Sequence, residues 1–340
     1  MEQKEYLIIG QGIAGTILSY RFKKLGIAFK VIDDPKFSRS SRIAAGLANP
    51  VVLKRQKWVK GAELFTENLR SFYLNMEQDL HAKFFYPLPL YHLFQSIGEI
   101  NDWQQNASKA HLQSYLGEIE QNDIPKVNSP FGYGKVENIF WVDTSVMIRR
   151  WREILQAEGQ LLQEPFIADD YPNYNHIYCS GHLLSEQFPP FQSVFTKTKG
   201  QVMVIKSPSL SQYYGLHSGV FTLPLGDQLF KVGATYEHQN LNDETSPEGL
   251  SRLRTDLEKF YRGPYEVIDH LAGVRPNIKD RKPLLGLIKE GSYCFNGLGS
   301  RGILMAPYLS EHFIQYLIYG NELEASWDIQ RFNYSEFDEN

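Results

Sequence analysis

"EYLIIGQGIAGTILSYRFKKLGIAFKVIDD", residues 5–34, decides the fold. Tyr6 to Ile9 are apolar and β-prone, the signature of a buried strand. Gly10-Gln11-Gly12-Ile13-Ala14-Gly15 follows at once. Apolar residues then recur at Ile13, Ile17, Leu18, Phe22 and Leu25, one face of a helix that Gly26 ends. "AFKVID" is a second strand, closing on Asp33. Each glycine is there for a physical reason. Gly10 makes the tight turn, Gly12 lets a pyrophosphate approach the backbone, and Gly15 lets helix and strand pack closely. The helix start at Ile13 and Ala14 offers N–H groups and the positive end of the dipole to phosphates. Asp33, 23 residues after Gly10 and followed by Asp34, is placed to accept from ribose hydroxyls. The ordered set predicts dinucleotide binding. An acidic Asp33 suits FAD or NAD and disfavours NADP; the motif does not choose between the first two.

The remaining sequence narrows the class. The 340 residues are 42% hydrophobic and 22% charged, the balance of a folded protein with room for one large domain or two ordinary ones. A net charge of −4 argues against a surface that attracts nucleic acid as a whole. The two cysteines, Cys179 and Cys294, lie in short apolar runs. They read as buried thiols rather than a disulfide, and are too few for a metal site. No leader-like segment and no run near 18 apolar residues is present, so a cytoplasmic protein without a membrane span is expected. No Ser-His-Asp set, HExxH or CxxC stands out.

A helix is expected from Ala62 to Leu80, and residues 84–140 read as irregular and aromatic. "VDTSVMIRRWREILQAEG" reads as a helix capped by Asp143 or Thr144 and ended by Gly159. "NHIYCSGH" is a strand running into glycine. From about Gly200 the pattern becomes antiparallel, through "GQVMVIKS", "VFTLPL" and "LFKVGATYE". "SPEGLSRLRTDLEKFY" is a helix opened by Ser246 and Pro247. "RFNYSEFDEN" reads as a loose acidic tail. The α/β part is therefore split along the sequence and a mostly β part is inserted.

The order of motifs resembles the D-amino-acid oxidase/glycine oxidase superfamily of FAD-dependent amine oxidoreductases. The resemblance rests on the GxGxxG with Asp33, on "SSRIAAGLANP", on "KGQVMVI" and "LPLGDQLFKVGATYE", on "GVRPNIKDRKPLLG" and on "NGLGSRGILMAP". "GLGSRG" and "GLANPVVLKRQKW" are most similar to the FAD domain of the bifunctional enzyme that modifies wobble uridine in bacterial tRNA; its methyltransferase partner domain is not expected within these 340 residues, which leave no room for it. The resemblance implies a Rossmann-like FAD-binding domain, residues 1–80, 135–195 and 270–330, and an antiparallel substrate domain, residues 81–134 and 196–269.

It also implies roles for residues. Ser41, Arg42, Ala45, Gly46 and Leu47 would lie along the cofactor, with Ser180 and Gly181 after the later strand. Gly299, Ser300, Arg301, Gly302 and Ile303 would approach the flavin ring, where N–H groups at a helix start stabilise negative charge on reduced flavin. Pro307 fits that helix only in or near its first turn. Arg275 in "GVRP" is the expected substrate-carboxylate arginine. Tyr236 matches a pocket position, and Arg301 reaches the flavin, the substrate or a structural partner. Phe221 falls where glycine oxidase has a tyrosine, while His217 reads as a loop residue. Lys54, Arg55, Lys57 and Lys60 with Trp58 form a basic patch, a solvated loop or an RNA contact. The expected activity is oxidation of a carboxylate-bearing amine with non-covalent FAD, on a small amine or on a modified uridine in tRNA. An NAD-dependent dehydrogenase and a non-catalytic flavin-binding module are the alternatives.

Overall fold

A computed structural model describes residues 5–36 and 40–332. The opening stretch builds the centre of a six-stranded sheet, in the order Leu161–Leu162, Phe29–Ile32, Glu5–Ile9, Tyr174–Tyr178, Ser292–Asn296 and Leu284–Lys289. The strands run parallel up to Ser292–Asn296, and Leu284–Lys289 closes the edge antiparallel. Tyr6 and Ile8 face one apolar cluster and Leu7 and Ile9 another. Both faces of this strand are covered, which is why its sequence is an unbroken apolar run. Helix Ile13–Lys24 packs against helix Gly302–Tyr319 on one face. A Cβ on Gly15 would lie 1.9 Å from the Gly10 carbonyl oxygen, so only glycine allows the helix this close to its strand.

A second, eight-stranded sheet runs Glu266–Arg275, Thr198–Lys206, Leu229–Gly233, Val220–Gly226, Gly215–Ser218, Leu90–Leu93, Tyr133–Val136 and Leu116–Glu120. Helix Pro247–Glu258, capped by the Ser246 hydroxyl, covers one face over Met203, Ile205, Phe230 and Val232. The overall class is α/β with a mainly antiparallel second sheet.

Several local expectations need correction. Residues 84–140 are ordered into strands Phe85–Pro87, Leu90–Leu93, Leu116–Glu120, Tyr133–Val136 and Phe140–Val142, with helix Ile97–Ala107 between. Pro87 and Pro89 interrupt their alternation, and Leu90–Leu93 pairs with Gly215–Ser218, more than 100 residues away in sequence. The helix expected over Ala62 to Leu80 breaks at Asn68 into Ala62–Glu67 and Leu69–Leu80. Asp143, not Thr144, caps helix Thr144–Ala157, accepting from the Ser145 and Val146 N–H groups. Pro307 lies beyond the first turn of helix Gly302–Tyr319. Proline lacks the N–H that would reach the Ile303 carbonyl. The buried Tyr73 hydroxyl supplies the missing donor at 2.8 Å. Of the acidic tail, residues 333–340 lie outside the described residues.

Candidate active site

One cavity of about 810 Å³ is lined from both sheets. It gathers Gly10, Gly12, Ile13, Ala14, Asp33, Asp34, Ser41, Ala45, Gly46, Leu47, Ser180, Gly181, Tyr236, Arg275, Gly299, Ser300, Arg301, Gly302 and Ile303. The two glycine loops, almost a chain length apart, open onto the same space. A Cβ on Gly302 would sit 3.3 Å from Ile13, so the starts of the two helices touch. Of the expected residues, Gly15 and Arg42 do not line the cavity. Gly15 acts through close packing of helix on strand, and the Arg42 carbonyl accepts from the Ser145 hydroxyl.

The loop at Gly10 fits a pyrophosphate. Gly10 has φ +98, and a Cβ there would press on the Cys179 carbonyl at 3.0 Å. The Ile13 N–H donates to the Ser41 hydroxyl at 3.0 Å. The first turn carries no acidic side chain, and its other N–H groups have no intrahelical partner. Asp33 is 7% exposed. It accepts from the Gln11 N–H at 3.1 Å and from Arg152 at 2.6 Å. Arg152 comes from helix Thr144–Ala157 and also donates to Gln11 and Gln163. No sequence pattern marks this arginine, 119 residues from Asp33. An ionised carboxylate has about four acceptor positions, so the ribose hydroxyls can share it.

The segment from Ala44 to Gly46 is pinned along the cavity from outside. Lys231 donates to the Ala44 carbonyl at 2.9 Å, Trp141 to the Ala45 carbonyl at 3.0 Å, and the Val142 N–H to Gly46 at 2.8 Å. Gly46 has φ +73, and a Cβ there would lie 2.1 Å from the Val142 oxygen. Lys231 is buried, which lowers its pKa, and sequence reasoning missed it.

Arg275 is the most telling side chain. Burial lowers its pKa. Its guanidinium stacks on the Tyr236 ring at 4.5 Å and donates to the Thr235 carbonyl at 3.3 Å. It has no acidic partner among the described residues. A Cβ on Gly200 would lie 2.1 Å from Nη2, so the guanidinium occupies the space that glycine vacates. Arg301 is a second, partly buried cation on the same cavity; burial lowers its pKa, with Tyr236 raising it and Arg281 lowering it. Tyr236 is 59% exposed and covers Arg275 like a flap. Phe221 lines the cavity. His217 is not a loop residue: it sits on strand Gly215–Ser218 and faces the cavity.

Lys54, Arg55, Lys57 and Lys60 are exposed, and Lys54 borders the cavity. Trp58 packs against His111 and Tyr115 and donates to Glu63, so its ring is engaged within the protein. Cys179 and Cys294 are buried free thiols. Among the described residues no group of His, Cys, Asp and Glu could hold a metal ion, and no helix is long and apolar enough to cross a membrane.

The fold and this cavity define a dinucleotide-dependent oxidoreductase. Residues 170–316 match the family model described as DAO, FAD dependent oxidoreductase. That matched segment takes in strand Tyr174–Tyr178, Arg275 and the Gly299–Ile303 helix start, and the dinucleotide is FAD rather than NAD. Over 105 residues it is 30% identical to a tRNA 5-methylaminomethyl-2-thiouridine biosynthesis bifunctional protein of Caulobacter vibrioides. That stretch is 29% of this chain and only 18% of the relative. In three dimensions the chain is similar to glycine oxidase from Geobacillus kaustophilus, with a TM-score of 0.76, 15% identity and 97% of each chain covered. Iminodiacetate oxidase from Chelativorans sp. BNC1 gives a TM-score of 0.75 at 16% identity, covering 94% of this chain and 96% of that one. At such identities the likeness is one of fold.

Proposed function

We propose that the protein oxidises the C–N bond of a carboxylate-bearing amine. The six-stranded sheet with its helices forms the FAD-binding unit, and the eight-stranded sheet forms the substrate-facing unit. The observation that carries this reading is Arg275: a partly buried guanidinium without an acid partner among the described residues, seated against Gly200 and facing the cavity that holds the glycine loops. A desolvated cation held in one orientation awaits an anion, and a guanidinium grips a carboxylate through two parallel hydrogen bonds. FAD held by the Gly10 loop and the Gly299–Ile303 helix start would supply the hydride acceptor. The chain's own residues bind and orient. Arg275 fixes the carboxylate, Tyr236 covers it, and the N–H groups from Gly299 to Ile303 stabilise negative charge at the ring end. The amine must enter unprotonated, because an ammonium has no lone pair to stabilise the developing imine. Water then splits the imine into an amine and a carbonyl product. The two arginines and the fold shared with glycine and iminodiacetate oxidases support a small secondary amine as the substrate. A second reading, a carboxymethylaminomethyl-uridine in tRNA, is supported by the exposed Lys54 at the cavity border with exposed Arg55, Lys57 and Lys60 close after it in sequence, and by the matched segment of the Caulobacter protein. The buried free thiols fit a reducing, cytoplasmic setting.

The test is a visible spectrum of the purified protein followed by anaerobic addition of amines. A flavin spectrum that bleaches with glycine, sarcosine, iminodiacetate or a carboxymethylaminomethyl-uridine tRNA, and not with the corresponding amines that lack a carboxylate, bears the proposal out. A bound flavin that none of them bleaches leaves only a flavin-binding module.

A further inference from the structure

Strand register sets one row of residues across the cavity face of the eight-stranded sheet: His92, His217, Phe221, Gly233 and Val202. His217, Phe221 and Val202 line the cavity. The row is apolar except for its two histidines. His92 is buried, stacked on Trp103 with ring centroids 5.8 Å apart, and meets Phe94 edge-on. Its Nδ1 lies 2.9 Å from Nδ1 of His217. Two ring nitrogens at that distance share one proton, one donating and the other accepting. The Nδ1 of His217 is thereby occupied. Its Nε2 has no partner among the described residues and is the nitrogen left for a ligand.

Charge decides what that ligand group is. Burial and the neighbouring His92 hold His217 down to about 3, and burial lowers His92 although Glu99 pulls it up. The pair is neutral, surrounded by apolar side chains. A neutral imidazole matches an amide, imide or hydroxyl, whereas a second carboxylate would lose its hydration here without gaining a cation. Distance decides where on the ligand the group lies. The Arg275 guanidinium rests on Gly200, three strands and two residues from the His217 register. At about 4.8 Å per strand and 3.3 Å per residue those backbone positions are roughly 16 Å apart, before side chains reach inward. One ligand that meets both ends is longer than glycine.

We propose that His217, oriented by His92, is a specificity residue that makes one hydrogen bond through Nε2 to an uncharged polar group at the end of the substrate remote from its carboxylate. The proposal rests on the carboxylate-amine reading above, with His92 as the positioning residue.

The test uses the FAD-loaded full chain and two ligands of equal reach, N-(4-isopropylbenzyl)glycine and N-(4-carbamoylbenzyl)glycine. Anaerobic titration of the flavin spectrum gives Kd, and stopped-flow bleaching gives the reduction rate. The wild type should bind the amide about tenfold more tightly, the scale of one hydrogen bond in a site that otherwise leaves a buried polar group unpaired. His217→Leu should abolish that preference and His217→Gln should restore part of it. His92→Phe should reduce the preference while leaving the Kd of sarcosine, which is too short to reach the row. Equal affinity of the two ligands in the wild type, or a preference that survives His217→Leu, overturns the assignment. Preferential binding without bleaching by any amine sinks the oxidation reading and leaves the His217 assignment standing. Bleaching by both ligands without preference does the reverse.

Discussion

Replacing Gly200 by alanine tests the proposed carboxylate-binding role of Arg275 without touching that residue. The new Cβ would stand 2.1 Å from Nη2, 2.3 Å from Cζ and 2.4 Å from Nη1 of Arg275. Ordinary contact begins at 3.4 Å, so the guanidinium must retreat by about 1.3 Å (3.4 − 2.1). It is the far end of a flexible side chain, so the fold survives and the geometry of the grip does not. A hydrogen bond to a charged group contributes about 1.5–3 kcal/mol. Losing one of the two bonds to the carboxylate therefore weakens binding roughly 10- to 150-fold, at about 1.4 kcal/mol per factor of ten. The assay is anaerobic titration of the flavin spectrum with sarcosine on Gly200→Ala, Arg275→Ala and the double variant. Because the alanine acts through the arginine, the double variant should bind no worse than Arg275→Ala alone. A double variant that loses the product of the two single effects would refute the reasoning, since Gly200 would then act independently.

Gly15→Ala places a Cβ 1.9 Å from a backbone oxygen that cannot yield, so the purified protein should lose its flavin absorbance and melt earlier than wild type; full FAD occupancy would contradict the close-packing account. Tyr73→Phe leaves the Ile303 carbonyl unpaired and should cost about 1–3 kcal/mol, read as a lowered denaturation midpoint, with Pro307→Ala in the same chain recovering part of it. His217 takes up its proton near pH 6.5 when unfolded and near 3 when folded, so stability is complete above 6.5 and falls by about 1.4 kcal/mol per pH unit below it. His217→Phe should flatten that acid slope in denaturant titrations between pH 6 and 4, and an unchanged slope would show that the ring titrates freely. If tRNA is the substrate, reversing Lys54, Arg55, Lys57 and Lys60 should reduce the salt dependence of tRNA binding by roughly 0.7–0.9 log units for each phosphate no longer neutralised, and an unchanged slope would place the RNA elsewhere.

The nucleotide-binding half was legible because its signals are local. Gly10, Gly12 and Gly15 declare a turn, an approach and a packing contact within six residues, and the flanking apolar runs declare the strand and helix. The half built on the eight-stranded sheet was less legible because its logic runs across strands. His217 looks ordinary beside its neighbours in sequence and acquires meaning only opposite His92, 125 residues earlier. Arg152 and Lys231 were invisible for the same reason: each serves the cavity from a distant segment, holding Asp33 and the Ala44 carbonyl. Pro307 misled because the rule against a mid-helix proline assumes that nothing else can donate to the freed carbonyl, and Tyr73 does.

That last pair constrains how such a chain can drift over generations. With proline at 307, position 73 is tied to a residue that can reach across with a donor, and phenylalanine there is penalised although it fills the same volume. Once 307 mutates to a residue with an N–H, position 73 is released and the hydroxyl becomes dispensable. The reverse order is the costly one, because phenylalanine arriving at 73 while proline still stands at 307 strands a carbonyl in the core. Among descendants of this sequence the two positions should therefore change in a fixed order, 307 first and 73 after, though neither residue is among those lining the cavity.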